Sequence, residues 1–201
     1  MSSTPLPRIL EIDLSTGRQT PLPVATESYR AFLGGAALGA HLLWPWLEDP
    51  ADPLAPEAPL LWLTGPLTGT TGPAVGRMVL CARSPATGLW GESNIGGFIG
   101  SELRGAGIDG LVLRGKAPHP VYLWVHEGTV EVRSAGHLWG KADTYQTQEA
   151  VRAELGDKLV RVACIGEAGE ACLPFGLVLC DHGRVAGRTG LGAVMGSKNL
   201  K

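Results

Sequence analysis

The chain has 201 residues, 44% hydrophobic and 18% charged, with 17 Lys+Arg against 19 Asp+Glu and a net charge of −2. That is long and apolar enough to bury a core and too weakly charged for a disordered polypeptide. It also lacks the basic field that nucleic acid or an anionic membrane attracts. No apolar run reaches membrane-spanning length and the start MSSTPLPR has no signal-peptide character, so a reducing, cytoplasmic setting is expected.

In chain order, residues 8–14 (RILEIDL) alternate apolar and polar and predict a strand, followed by a hairpin-like turn at 15–18. Residues 27–44 predict a helix, capped by Thr26 or Ser28, with Tyr29, Phe32, Leu33, Ala36, Ala37, Ala40 and Leu43 on one face. Gly34-Gly35 inside it lowers helix stability and points to the close approach of another backbone or a ligand. The Pro- and acid-rich stretch 45–59 reads as a surface loop. Strands are expected at 59–63, 75–82, 108–114, 120–125 and 129–133, with His126-Glu127-Gly128 turning between the last two. Residues 143–155 give the clearest helix, capped by Asp143 or Thr144 and stopped by Gly156. Further strands are expected at 159–165 and 174–180, then a Gly-rich turn and a short helix. Strands cluster and helices are few. This predicts an α+β fold with two curved, mostly antiparallel sheets, without βαβ alternation or internal domain boundary.

Cys81, Cys164, Cys172 and Cys180 form no C-x-x-C, and the five histidines are scattered. Free, mostly buried thiols are expected, with neither a zinc site nor an iron–sulfur cluster built from this chain alone. The 29 glycines sit between apolar segments. Three Gly-rich segments also carry arginine: 64–88, 89–107 and 183–198. Glycine lets a backbone come close to an anion, and arginine supplies a permanent, planar donor for phosphate. Asn94 precedes Gly96-Gly97, and a helix starting near Phe98 would aim free N–H groups at the same place. No Walker A motif is present, and Gly187-Arg188-Thr189-Gly190-Leu191-Gly192 has the wrong glycine order for a dinucleotide fingerprint. Tight turns alone would also explain these glycines. No nucleophile–base dyad or carboxylate pair stands out.

Long collinear stretches then point to a family: RILEIDLSTG, FLGGAALGAHLL, LTGPLTGT, ARSPATGLWGESNIGGFIGSELRGAGIDGLVLRGKA, PVYLW, HLWGK, VRVACIGEAGE and GRVAGRTGLGAVMGSKNLK. From end to end the chain resembles the N-terminal domain of the aldehyde ferredoxin oxidoreductase family, tungsten (occasionally molybdenum) pterin enzymes. The resemblance implies that residues 1–201 form one tungstopterin-binding domain, a β-sheet base on which a bis-pterin cofactor sits. Carried over by motif, cofactor contacts fall on Arg77, Asn94, Gly96 and Gly97, and on Arg184, Val185, Ala186, Gly187 and Arg188. The backbone carbonyls of Asn94 and Val185 would hold a magnesium ion that joins the pterin phosphates. Two departures stand out: Val185 replaces the usual small residue after Arg184, and the stretch from Thr71 to Arg77 is atypical.

The family continues for several hundred residues beyond the segment ending at Lys201. Those later domains carry the cluster cysteines, the other pterin motifs, the aldehyde channel and the catalytic acid–base groups. No catalytic residue is therefore assigned here, and the 201-residue chain alone is expected to be inactive. Its expected partners are the remaining domains or a C-terminal subunit, with ferredoxin and a small aldehyde reached through the complete enzyme. Alone, it is expected to self-associate. The other reading is a free-standing, non-catalytic protein that binds pterin or a partner chain.

Overall fold

The computed structural model describes residues 6–48 and 51–201. Positions 49–50 of the expected loop and residues 1–5 of the N-terminus lie outside the described residues.

The α+β class holds. The main sheet has six strands in the order β2-β1-β6-β3-β4-β5. These are β1 (Ile9–Asp13), β2 (Arg18–Leu22), β3 (Leu60–Thr64), β4 (Met78–Arg83), β5 (Trp90–Ile95) and β6 (Gly110–Arg114). Pairing is antiparallel except between β1 and β6. The remaining strands form a hairpin, β7 (Val121–His126) with β8 (Thr129–Ser134), and a three-stranded sheet ordered β11-β10-β9. In that sheet β9 is Ala163–Ile165, β10 is Val178–Cys180 and β11 is Arg184–Ala186. The strands thus divide among three sheets.

Both faces of the six-stranded sheet are covered, which is why β3 reads Leu-Leu-Trp-Leu-Thr with every residue buried. Ile9, Leu61, Leu63, Val79 and Cys81 pack under α1 (Thr26–Phe32) and α2 (Gly35–Leu47). Leu10, Trp62, Met78, Leu80 and Leu111 point the other way, toward Ile165, Val178, Ala186 and α6 (Leu191–Ser197). Alternation of period two assigns each residue to its face.

The expected helix 27–44 is two helices. Leu33 (φ 61°) and Gly34 (φ 140°) break it, and a Cβ on Gly34 would lie 3.0 Å from the carbonyl oxygen of Thr64. The double glycine thus serves the close backbone approach its sequence suggested. Neither Thr26 nor Ser28 caps α1. Ala25 takes the cap position, and no side chain bonds there. Past Pro45, α2 continues to Leu47, where the Arg83 guanidinium takes the carbonyls of Trp46 and Leu47 at 2.8 and 2.9 Å.

α4 (Thr144–Leu155) begins with a capping box: Asp143 accepts from the N–H groups of Tyr145 and Gln146, and Gln146 returns a bond to Asp143 N. Gly156, left-handed at φ 69°, ends it. The strand expected at 75–82 starts only at Met78, because 69–77 closes as a loop. Gly69 N donates to the Val75 carbonyl and Thr68 Oγ1 to the Arg77 carbonyl. Likewise only 163–165 and 178–180 of the expected strands 159–165 and 174–180 pair. The sequence reading did not foresee β2, β5, β11 or the single turn α5 (Glu167–Glu170).

Two buried lysines pin the last helix. Lys201 pairs with Glu170 and donates to the Ala142 carbonyl, while Lys198 donates to the Pro56 carbonyl at 3.0 Å. Lys201 N bonds the Val121 carbonyl and its carbonyl accepts from Ile165 N, tying the β7–β8 hairpin to β9. Among the described residues no helix is long and apolar enough to cross a membrane.

Candidate functional site: two facing sheet edges

β5 ends the six-stranded sheet and β11 ends the three-stranded one, and the two edges face each other. Arg188 N donates to Ser93 Oγ at 3.2 Å, and Cys180 Sγ lies 3.6 Å from the Gly96 carbonyl. Thr189 Oγ1 lies 3.5 Å from the Glu92 carbonyl. Carbonyls two apart along a strand point the same way, so the Asn94 carbonyl projects on the side of Glu92, between the two edges. An edge strand carries backbone groups that its own sheet leaves unpaired. These groups give the site its supply of carbonyl oxygens.

The three Gly-rich segments converge here. Gly97 has φ 83°, and a Cβ on it would stand 2.3 Å from Asp181 Oδ2 and 3.2 Å from Arg184 Cγ. One on Gly76 would stand 2.5 Å from the Gly97 carbonyl oxygen. The first segment thus abuts the second at Gly76–Gly97, and the second abuts the third at Gly97–Asp181–Arg184. Arg77, Asn94, Arg184, Val185, Gly187 and Arg188 are exposed, Gly96 and Gly97 are half-buried, and Ala186 is buried beneath them. The structure therefore brings Asn94, Gly96, Gly97, Arg184, Val185, Gly187 and Arg188 together, with Arg77 next to Gly76 and Ala186 buried below.

Most arginines elsewhere are committed to partners: Arg8, Arg83, Arg104, Arg114, Arg133, Arg152 and Arg161 each hold a carboxylate or a carbonyl, while Arg18 and Arg30 do not among the described residues. Arg77, Arg184 and Arg188 have no hydrogen-bond or ion-pair partner among the described residues. Three unspent guanidinium groups around facing carbonyl-bearing edges suit a phosphate-rich ligand with a bridging hard cation.

One backbone N–H at the expected helix start is already taken. α3 (Ile99–Gly105) begins directly after Phe98. Asp181 Oδ2 takes the Phe98 N–H at 2.7 Å, and Oδ1 lies 3.6 Å from Arg161 Nη1. Sequence reasoning missed both Asp181 and Arg161. The one available signal was a lone carboxylate in the turn of LVLCDHGRV.

Cys81, Cys164 and Cys180 are buried and unpaired. Burial pushes the Cys164 and Cys180 thiols up to about 12 and Cys81 higher still. Neutral thiols are poor metal ligands. Among the described residues no group of three His, Cys, Asp or Glu side chains could hold a metal. A cavity of about 750 Å³ lies elsewhere, among Trp62, Leu111, Leu123, Val125, Val151 and Val162, and no expected site residue lines it. The site is thus a surface between sheets.

Compared with known proteins, residues 9–201 match the N-terminal domain of aldehyde ferredoxin oxidoreductase. The chain belongs to this family. It is 43% identical over 194 residues to the tungsten-containing aldehyde ferredoxin oxidoreductase of Pyrococcus abyssi, covering 96% of this chain and 32% of that enzyme. It is 36% identical over 210 residues to an aliphatic sulfonate oxidoreductase, WOR-like subunit, of Pyrococcus furiosus, covering 96% and 33%. Among solved structures, a chain of the active-site complex of benzoyl coenzyme A reductase with 1,5-dienoyl-CoA superposes with a TM-score of 0.91. Identity is 36%, and the match covers 96% of this chain and 29% of that one. The chain spans about a third of the length of these relatives. It is a domain of oxidoreductases whose relatives include tungsten enzymes.

Proposed function

We propose that residues 1–201 are the cofactor-bearing N-terminal portion of a tungsten-pterin oxidoreductase that oxidises aldehydes to carboxylic acids. The observation that carries this reading is the convergence of three Gly-rich segments, bearing the unpartnered Arg77, Arg184 and Arg188, around two facing sheet edges.

The donor set fits the group. The pterin phosphates are polyanionic, and guanidinium forks match phosphate oxygens in pairs. Arg77, Arg184 and Arg188 would hold them, with the Gly96-Gly97 and Gly187 backbone admitting close approach. The Asn94 and Val185 carbonyls would supply oxygens to the bridging magnesium. When bound, the tungsten-pterin group supplies the two-electron chemistry that takes an aldehyde and water to a carboxylic acid. The protein's part on this surface is binding and orientation. The buried, neutral thiols of Cys81, Cys164 and Cys180 offer no path for electrons to ferredoxin. Turnover therefore requires further polypeptide, as separate domains or a partner subunit. Phe98, 56% exposed, and Val185, 40% exposed, border the surface and suit being covered by it. Without that cover, self-association of the chain is expected.

The test is anaerobic purification after growth with tungstate, with tungsten, pterin and magnesium measured per chain. Wild-type protein retaining tungsten and pterin, and Arg184→Ala with Arg188→Ala losing both, is the expected result. Equal pterin content in the two would refute the site. Viologen reduction by the 201-residue chain with a small aldehyde and no added protein would refute the division of labour.

A further inference from the structure

Between the two Gly-rich loops stands a side chain assigned no role so far. Asp181 occupies the β10–β11 turn with φ 45°, followed by His182 at 54° and Gly183 at 125°. Three successive left-handed residues, two of them not glycine, are a strained turn that must be held by its surroundings. His182 stacks on the Tyr145 ring of α4, and the Asp181 contacts run chiefly to the other loop. Asp181 Oδ2 accepts the Phe98 N–H at 2.7 Å, and its carboxylate lies against the bare Cα of Gly97, where any Cβ would collide with it. The neighbouring Cys180 Sγ meets the Gly96 carbonyl. Arg161, from the segment before β9, closes the arrangement twice: it pairs with Asp181 Oδ1 and lies 4.4 Å over the Phe98 ring. The Asp181 side chain is 8% exposed, so this is an inward fastening and not part of the open surface.

We infer that Asp181 is a positioning residue. Its carboxylate clasps the 96–98 turn to the 181–184 turn, and so fixes the spacing of the Asn94–Gly97 and Arg184–Arg188 loops. The inference rests on the reading of these loops as one phosphate-holding surface. A charge-assisted bond to a backbone N–H, backed by an ion pair, is strong enough to hold two strand ends that no ladder hydrogen bond joins.

The experiment uses the ¹⁵N-labelled 201-residue chain as wild type, Asp181→Ala, Asp181→Asn and Arg161→Met. Amide hydrogen exchange is read residue by residue, and binding of magnesium with inorganic pyrophosphate is followed by amide shifts. In Asp181→Ala, the Phe98 amide is expected to exchange at least about tenfold faster and the Arg184–Gly187 amides to shift, with the amides of Leu61 and Leu80 unchanged. Pyrophosphate affinity falls about tenfold or more in the same variant. Asp181→Asn keeps an acceptor for Phe98 and restores most of the protection. Arg161→Met gives an intermediate loss. Unchanged exchange at Phe98 in Asp181→Ala overturns the inference, as does loss of pyrophosphate binding without any change at Phe98 and Arg184. Altered exchange as expected, in a wild-type chain that binds no magnesium pyrophosphate, upholds the clasp and sinks the phosphate reading instead.

Discussion

The six-stranded sheet ends in two edges of opposite character. At one, β2 reads Arg-Gln-Thr-Pro-Leu, with its first four residues exposed, and Pro21 removes a backbone donor from the rim. At the other, β5 reads Trp-Gly-Glu-Ser-Asn-Ile, alternates buried and exposed residues, and meets β11 across a gap spanned by a few side-chain and thiol contacts. A free edge invites pairing with any stray strand. β2 answers that hazard with charge and proline. β5 answers it by facing another edge at a distance too great for a ladder, leaving carbonyls and arginines for a ligand. One edge is closed to partners, and the other is kept open in a controlled way.

The sharpest way to break this comparison is a methyl group at each end. Gly97→Ala places a Cβ against Asp181 in a left-handed backbone, and should lower stability by about 2–3 kcal/mol in urea unfolding and abolish magnesium pyrophosphate binding. Next, Arg184→Ala with Arg188→Ala should leave stability within about 0.5 kcal/mol but weaken that binding about 10- to 100-fold by calorimetry. Arg18→Ala on β2 should leave both alone. Gly17→Ala, in the β1–β2 turn at φ 73° with open space around it, should cost only about 1 kcal/mol. If it costs as much as Gly97→Ala, the two edges are not distinguished by packing. Smallest of all, Pro21→Thr should change stability by less than about 0.5 kcal/mol while increasing self-association in sedimentation at high concentration.

What the sequence revealed and what it hid follow the range of the forces involved. α4 was legible because its signals are local: Asp143 and Gln146 make a capping box three residues apart, and Gly156 stops the helix. The β7–β8 hairpin was legible for the same reason, with Glu127 and Gly128 both left-handed in the turn. The break at Leu33–Gly34 was half legible. The glycines announced a close approach, but its partner, the end of β3, lies thirty residues on. β11 was hidden because it is only three residues long and begins straight after a turn in which Asp181, His182 and Gly183 are all left-handed. The residues that Arg77, Asn94–Gly97 and Arg184–Arg188 contribute were readable through family resemblance. Their convergence depends on Gly97, Asp181 and Arg161, up to 84 residues apart, and no local pattern encodes that.

The burial of Lys198 has a consequence for how the fold responds to alkali. With one carbonyl partner and no access to water, its ammonium is disfavoured by desolvation, and its pKa drops from 10.5 to about 8 despite the pull of Glu57. Between those values the unfolded chain holds a proton that the folded chain has released, so raising the pH favours folding, by on the order of 3 kcal/mol over the whole interval. The buried thiols oppose this increasingly as the pH nears and passes 9, because Cys164 and Cys180 keep their protons to about 12 when folded and lose them around 9 when unfolded. A helix packed around a reluctant ammonium thus makes this domain gain stability as the pH climbs through about 8, until ionisation of the unfolded chain's thiols near 9 reverses the trend.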